Sequence, residues 1–559
     1  MKSEINIELN GKDMIQITKD LCDFGYRRSG TPPADKAEKY IYDKLKEVGL
    51  KDVKLEKLNY TRWWSEKHEL MIISEKTPSV SEDQIINSFP AWFCGSTSQE
   101  GITAEVAHVG FGTKSDFDEV DVRGKIALIE GKMILNFYPT HSVRLFNTIK
   151  TAEKKGALAV ILGNNSPLDL IHYINPFDLP SPRDPPLPNL PALSISTPDF
   201  TYLKTLCTRY HEKLTMKFIQ IAKTEPAISH TVIGTLPGKS DDIILIGTHT
   251  DSTFTGALDN AAANAGLIAI AKHYANMPLE NREKTMVFAG WTGHECGSIG
   301  SKLFVEMHEE MLSKITTYIL LDGFGCNGYY NQSDGGVVPT GVDERRGLFV
   351  SENQILLSFV LDAVIKYELL PAVYVSARAL PVADLPAFIR NEVPSILIIG
   401  KPIFYHTKHD TIDIIQPDQL ERSAKAHIEI IDAIHATPSE KIRNADGKTL
   451  DMTNFITKNE EVTTPSISIF TIPDVLSAGT LAIFVPSVIT SPESVILSFQ
   501  WKFEDGMTSD RLIMVRNFRK PGNYKIIFTI KDNFGNSYTC KKMIRVLEKY
   551  RKKEKKISG

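Results

Sequence analysis

Four short apolar runs in the middle of the chain constrain its fold more than any other feature, because helical patterns separate them. The runs cover residues 242–247, 285–290, 317–321 and 395–399. Apolar strands that alternate with helices over residues 230–437 are typical of an α/β fold, in which a mostly parallel mixed sheet is covered by helices. Ligands bind such sheets beyond the carboxyl ends of the strands, so the residues after each run are the candidates for chemistry.

Metal-binding side chains follow these runs. Three carboxylates and two imidazoles come to one edge of the expected sheet, and zinc accepts both kinds of ligand near tetrahedral geometry. Five ligands exceed the needs of one ion, but they fit two ions about 3.5 to 4 Å apart if one carboxylate bridges them. The five, in chain order, are His249, Asp259, Glu295, Asp322 and His406.

Neighbouring residues and single-residue alternatives bear on this prediction. Asp251 lies two residues after His249, where its carboxylate can hold the ligand imidazole in one tautomer. Taken singly, Asp259 also suits a helix cap, and His406 suits a buried core histidine. The whole set, in this order and at strand ends, favours a metal centre over those two interpretations.

The segments that carry these residues resemble a known family. The similarity is to the two-zinc aminopeptidases related to bacterial leucine-type aminopeptidases and glutamate carboxypeptidase, and it covers roughly residues 10–75 and 225–437, which implies the zinc exopeptidase fold. The matching segments are His249-Thr-Asp251, Asp259-Asn260, His294-Glu295 with the residues up to Phe304, Leu321-Asp322, and Tyr405-His406-Thr407 with Asp410-Thr411.

The resemblance implies how two Zn²⁺ ions are shared among the five ligands. One zinc is expected on His249, Asp259 and Asp322. The other is expected on Asp259, Glu295 and His406, so that Asp259 bridges the two ions.

Three more residues receive roles from the resemblance. Tyr405 is expected to polarise the scissile carbonyl oxygen, a task that suits a phenol. Asp384 lies in a loosely matched segment, residues 383–388, that the family places near the substrate pocket. His294 stands where the family has a glutamate that acts as the general base. An imidazole can accept a proton near neutral pH, but it then becomes a cation beside the metal. We therefore expect a slower hydrolase or a shifted pH optimum, with His294→Glu raising turnover.

Modules of other kinds flank the expected peptidase domain, which comprises residues 1–80 and 220–437. Residues 85–215 resemble a protease-associated insertion, a small α/β unit. Residues 438–460 are polar and aperiodic, as in a linker. Short alternating runs over residues 461–548 resemble a polycystic-kidney-disease-type β-sandwich, and residues 549–559 form a basic tail.

Composition excludes some partners and leaves the cellular compartment open. The formal net charge of −4 provides no general attraction for nucleic acid, and no run of 18 apolar residues predicts a membrane span. Acidic residues interrupt the N-terminus where a signal peptide needs an apolar core, so the chain as given is expected in the cytoplasm. The sandwich favours an extracellular protein instead. The sequence gives no indication of the oligomeric state.

Three functions remain open at this point. The first is a zinc-dependent aminopeptidase that removes N-terminal residues from peptides. The second is a catalytically impaired homologue that binds a polypeptide or glycan, an alternative that rests on His294. The third is a cyclising transferase of the glutaminyl cyclase kind, which shares the fold but uses one zinc, whereas this chain has five ligand positions. The choice between an aminopeptidase and a carboxypeptidase also stays open.

Overall fold

A mixed sheet at the centre of the chain provides the edge where the predicted ligands meet. The computed structural model describes residues 9–131, 133–134, 138–164, 166, 169–174, 189–208, 213–331, 337–455, 465–472, 476–479, 481–490 and 493–548. Strands of the sheet lie side by side in the order Lys51–Ile72, Thr215–Leu236, Lys284–Trp291, Ser240–His249, Ile315–Leu321, Ser395–Gly400, Arg346–Val350 and Ala372–Ser376.

Four central strands of this sheet are parallel and contain the four apolar runs of the sequence. They begin at Lys284, Ser240, Ile315 and Ser395, in spatial order. Every residue of Ile315–Leu321 is buried, because helices and the following domain cover both faces of the sheet. The predicted α/β fold with a mostly parallel mixed sheet is confirmed.

Long helices cover one face of the sheet. Their apolar sides pack with the strand residues Ile244, Ile246 and Ile319 in one large core. The helix Pro32–Glu47 begins with two prolines in its first turn, where a missing N–H costs nothing, and buries Ala37 and Ile41. The helices on this face are Gly11–Asp23, Pro32–Glu47, Ala262–Ala275, Gln354–Lys366 and Pro417–Ala436.

The opposite face of the sheet shares its core with the C-terminal domain. Leu245, Ala289 and Leu320 belong to the same buried cluster as Trp501 and Phe528 of that domain. The shorter helices of this region are Ile299–Met307, Glu309–Leu312 and Leu385–Arg390. A two-stranded ladder, Asn327–Asn331 with Val337–Asp343, lies outside the main sheet.

The inserted unit forms its own small parallel sheet. Its strands run in the order Ile102–His108, Ile126–Glu130, Ala159–Gly163 and Ala192–Ile195, with Ser88–Pro90 antiparallel at the edge. Helices Lys114–Glu119, Thr140–Lys154 and Thr197–Thr208 accompany it. Minor strand pieces are Gln84–Ile85, Met133–Ile134 and Tyr138–Pro139.

The C-terminal region forms antiparallel ladders, as predicted. One contains Ser466–Ile472, Leu481–Ile489 and Met514–Asn517, and the other contains Val495–Phe503, Gly522–Asp532 and Ser537–Leu547. Leu476–Ser477 and Thr508–Ser509 are short additions at their edges. The strand Val495–Phe503 also pairs with Ala372–Ser376, which joins this domain to the edge of the peptidase sheet.

The expected linker, residues 438–460, is more ordered than its composition predicts. A helix, Ser439–Ala445, begins it and buries Ile442, whose carbonyl accepts a hydrogen bond of 2.8 Å from Asn353. A 3-10 turn follows at Met452–Phe455. Because a short helix with few apolar residues leaves little periodic signal, tertiary packing decides its structure. Residues 456–460 and the basic tail lie outside the described residues. No helix in the described part of the chain is long and apolar enough to cross a membrane.

Candidate metal centre

The five side chains predicted as metal ligands meet at the carboxyl ends of the parallel strands. His249 ends one strand, and Glu295 and Asp322 follow the two strands beside it. Asp259 lies in the short π-helical turn Ala257–Ala261, and His406 lies in the loop after the strand Ser395–Gly400; both reach the same edge. All five are at most 1% exposed. The sheet therefore brings together the whole set that the sequence predicts.

Asp259, Glu295 and His406 form the tighter part of this cluster, here called the open half. His406 Nε2 lies 3.1 Å from Asp259 Oδ2 and 3.2 Å from Glu295 Oε2. Ligands at zinc distances in a tetrahedron are about 3.3 Å apart, so these separations suit one ion. His406 adopts a left-handed backbone with φ 58°, the kind of strain that clusters at functional sites.

His249, Asp322 and Lys401 form the other part, here called the lysine half. His249 Nε2 is 3.4 Å from Asp259 Oδ1 and 4.0 Å from Asp322 Oδ1. Lys401 Nζ lies closer to both carboxylates, at 2.5 Å from Asp259 Oδ1 and 3.0 Å from Asp322 Oδ1. The motifs that predict the ligands do not include this lysine. Its position in the sequence points to the site, because Lys401 directly follows the strand Ser395–Gly400.

Lys401 is held in place by burial and by an aromatic ring. Its side chain is 3% exposed, and Nζ lies 4.0 Å from the centre of the Tyr405 ring. Burial would lower the pKa of Lys401, but the charges of Asp259 and Asp322 outweigh it and raise that pKa. Lys401 is therefore a fixed cation within the predicted metal centre.

Asp251 supports the centre mainly through hydrogen bonds to the backbone. Its carboxylate accepts from the N–H groups of His294, at 3.2 Å, and Glu295, at 3.1 Å. His249 Nδ1 makes its hydrogen bond to the backbone carbonyl of Asp251, at 3.0 Å, while the carboxylate is 3.5 Å away. The expected orientation of the His249 ring thus comes from the Asp251 main chain, and the side chain fixes the loop that carries Glu295.

Asp384 lies behind His294 and does not face open substrate space. One carboxylate oxygen accepts from His294 Nδ1 at 2.7 Å and the other from the Ser301 hydroxyl at 2.5 Å, and the residue is 0% exposed. Burial and His249 lower the pKa of His294, but Asp384 outweighs them and raises it. The predicted substrate contact is therefore replaced by a positioning contact, because both oxygens of Asp384 are already engaged.

The inserted unit reaches the open half through Tyr173. Its ring meets His406 edge-on at 5.1 Å, its hydroxyl donates to the Glu295 carbonyl at 3.3 Å, and its backbone N–H donates to the His406 carbonyl at 2.7 Å. The neighbouring His172 ring contacts the carbonyl of Ile403 at 3.1 Å. The insertion therefore supports the backbone of Glu295 and His406. No motif in the sequence indicates this role.

The open half meets the requirements of a divalent cation. No hydrogen bond of good geometry reaches Asp259 Oδ2 or His406 Nε2 from any described residue. Burial lowers the pKa of His406, yet the carboxylates of Glu295 and Asp259 raise it to about 8. Positive charge is thus favoured at this position. Asp259 is not the cap of the helix Ala262–Ala275, because the N-cap of that helix is Ala261, two residues further on.

A parallel sheet edge that gathers buried Asp, Glu and His ligands next to a His–Asp pair defines a metal-dependent hydrolase. Matches to known protein families narrow this class to a family of peptidases. Residues 231–431 match peptidase family M28, residues 98–203 match the PA domain, and residues 462–546 match the PKD domain. Residues 231–431 therefore form a domain of the M28 metallopeptidase type, and the chain combines it with a PA domain and a PKD domain.

Curated relatives include both kinds of exopeptidase. Carboxypeptidase Q of Mus musculus is 23% identical over 423 residues, which is 72% of this chain and 80% of that protein. Leucine aminopeptidase 2 of Trichophyton equinum is 25% identical over 298 residues, which is 52% of this chain and 53% of that protein.

Solved structures share the fold. An M28 peptidase precursor from Shewanella amazonensis has a TM-score of 0.61 at 21% identity, over 76% of this chain and 93% of that one. A zinc aminopeptidase from Bacillus subtilis has a TM-score of 0.57 at 20% identity, over 78% of this chain and 98% of that one. These similarities agree with the mixed sheet.

Proposed function

We propose that this chain is a zinc-dependent aminopeptidase that removes N-terminal residues from peptides. The observation that carries the proposal is the buried open half, in which Asp259, Glu295 and His406 present ligand atoms within 4.8 Å of one another. The zinc aminopeptidase named among the structural relatives supports the choice of metal. The sequence predicts two zinc ions, and the position of Lys401 bears on that number.

The metal supplies two kinds of chemistry when bound: it lowers the pKa of a water molecule and it polarises the scissile carbonyl. This chain's residues supply the rest. Asp251 fixes the backbone of residues 294 and 295, and Tyr173 supports the carbonyl of Glu295. Both contacts keep the Glu295 carboxylate in position relative to His406. A metal site requires its ligands to be held to within about half an ångström.

His294 is proposed as the general base. Because Nδ1 is bound to Asp384, Nε2 is the ring nitrogen left to accept a proton from water. The arrangement resembles the Asp–His pair of serine hydrolases, in which a buried carboxylate orients the ring and stabilises the imidazolium that forms. Asp384 thus compensates in part for the loss of a glutamate at position 294, since it balances the charge that His294 gains.

Tyr405 is proposed to stabilise the developing oxyanion. Its ring stacks on His406 with centroids 3.7 Å apart and lies beside the Lys401 ammonium. A phenol that is close to both the ligand and a cation is suited to donate a hydrogen bond to a carbonyl oxygen.

Carboxypeptidase activity is the second candidate, because carboxypeptidase Q aligns with 72% of this chain. The two activities differ in which end of the substrate must be free. An aminopeptidase cleaves aminoacyl-anilides and is blocked by N-acetylation, whereas a carboxypeptidase cleaves N-blocked dipeptides.

A substrate panel with and without a chelator tests the proposal. We expect release of the anilide from several aminoacyl substrates, loss of activity with chelator, and recovery on addition of zinc. Cleavage of N-blocked dipeptides alone would support the carboxypeptidase. Zinc binding without turnover on either panel would contradict both and favour the polypeptide- or glycan-binding homologue.

A further inference from the structure

Lys401 contacts two of the three side chains that the second metal ion is expected to bind. The ion expected on His249, Asp259 and Asp322 would bind the two carboxylates that Lys401 already contacts, at 2.5 Å through Asp259 Oδ1 and 3.0 Å through Asp322 Oδ1. An ion bonded to Asp259 Oδ1 at zinc distance would lie within about 4.6 Å of Nζ. Two cations would therefore share one buried pocket.

The two oxygens of Asp259 show how the carboxylate is divided. Oδ1 accepts a hydrogen bond from Lys401, whereas Oδ2 faces His406 in the open half. A bridging carboxylate gives one oxygen to each of two ions. Here the same geometry gives one oxygen to an ammonium group and leaves the other for an ion.

Charge balance favours one ion together with the lysine. Asp259, Glu295 and Asp322 carry three negative charges, and the two histidine ligands are neutral when they bind a metal. One zinc ion and one ammonium group balance these charges. Counted against these three carboxylates alone, two zinc ions with the ammonium would leave two positive charges in excess, and unbalanced charge is costly in a buried site.

The Lys401 side chain is enclosed within the metal centre. Its side chain is 3% exposed, and the Tyr405 ring lies 4.0 Å from Nζ. An ammonium group removed from both carboxylates without another partner would be buried and unpaired, which is strongly unfavourable. The lysine is therefore a permanent part of the centre.

We infer that the Lys401 ammonium group replaces one of the two metal ions, so that this centre holds a single zinc on Asp259, Glu295 and His406. The inference deepens the proposed function, on which it rests only for the presence of zinc. It changes the predicted cofactor from two Zn²⁺ ions to one and leaves His249 and Asp322 as partners of the lysine half.

Metal counting tests the inference without a substrate. The full chain is stripped with a chelator, incubated with excess zinc, desalted and analysed by mass spectrometry for zinc per chain. We expect one zinc in the unmodified chain and two in Lys401→Met, because methionine fills similar space without the charge. Lys408→Met is the matched control, since Lys408 is exposed on the same loop and the count should stay at one.

A second variant guards against misfolding of the first. Lys401→Gln should also bind two zinc ions, and zinc titration followed by calorimetry should show a second binding event that the unmodified chain lacks. Two tightly bound ions in the unmodified chain would overturn the inference, and so would a count of one in folded Lys401→Met and Lys401→Gln.

The outcomes also separate this inference from the proposed function. One zinc in the unmodified chain, two in the lysine variants and no peptide hydrolysis would sustain the inference and overturn the aminopeptidase. Absence of zinc from every protein would overturn both.

Discussion

The two halves of the metal centre share Asp259 but neutralise its charge in different ways. In the open half, Asp259 Oδ2 lies 3.1 Å from His406 Nε2, and the proposed zinc ion would supply the cation. In the lysine half, Asp259 Oδ1 already has a cation that the chain itself supplies. On this inference, ligand types alone do not fix the number of ions, because the lysine beside them takes the place of a metal.

The largest expected effect separates the two halves directly. His406→Ala removes a ligand from the open half, so we expect it to lose its zinc and its peptidase activity together. Asp322→Asn alters only the lysine half and should retain one zinc per chain. Metal analysis of both purified variants checks this, and loss of zinc from Asp322→Asn would break the distinction between the halves.

The next prediction concerns His294. Its ring stacks on that of His249 in the lysine half, with centroids 3.9 Å apart. If His294 is the general base, His294→Ala should lower kcat about 10²- to 10⁴-fold with zinc still bound. Steady-state kinetics and metal analysis on the same preparation measure both quantities. An unchanged kcat would show that this residue has no part in proton transfer.

The structure also revises the expectation for His294→Glu. A glutamate here would place its carboxylate beside that of Asp384, so the single variant should lose activity instead of gaining it. Combining it with Asp384→Asn removes the repulsion, and the double variant should be more active than His294→Glu alone. Equal activity of the two variants would argue against an electrostatic link between these positions.

A smaller effect is expected for Asp384→Asn alone. The amide keeps the shape of Asp384 but weakens the hydrogen bond to His294 Nδ1. Loss of a contact of this kind typically lowers activity about 10- to 100-fold. Because Asp384 stabilises the protonated ring, the variant should also shift the acidic limb of the kcat profile to lower pH. A uniform loss of activity at all pH values would indicate a purely structural role instead.

The smallest effect is expected at the contact between the insertion and the open half. Tyr173→Phe removes one buried hydrogen bond to the Glu295 carbonyl, which is worth about 1 kcal/mol. Chelator competition should show slightly weaker zinc binding in this variant. His68→Gln serves as a control that should leave zinc affinity unchanged, because the His68 ring contacts the carbonyl of Ser88 and not a metal ligand.

Sequence patterns predicted most of the fold and all five candidate ligands, since apolar runs locate strands and parallel strands place their carboxyl ends at one edge. The contacts of Asp384 and Tyr173 were beyond reach, because they join residues that are far apart in the chain. Lys401 was different. It follows a strand directly, but lysine is not a usual metal ligand, so a pattern of ligand residues does not include it.

Diffraction at the zinc absorption edge distinguishes one bound zinc ion from two, because anomalous peaks both count and locate the ions. The account predicts one peak among Asp259, Glu295 and His406, with the Lys401 ammonium between Asp259 and Asp322. A second peak of comparable height on His249, Asp259 and Asp322, with Lys401 displaced, would contradict it.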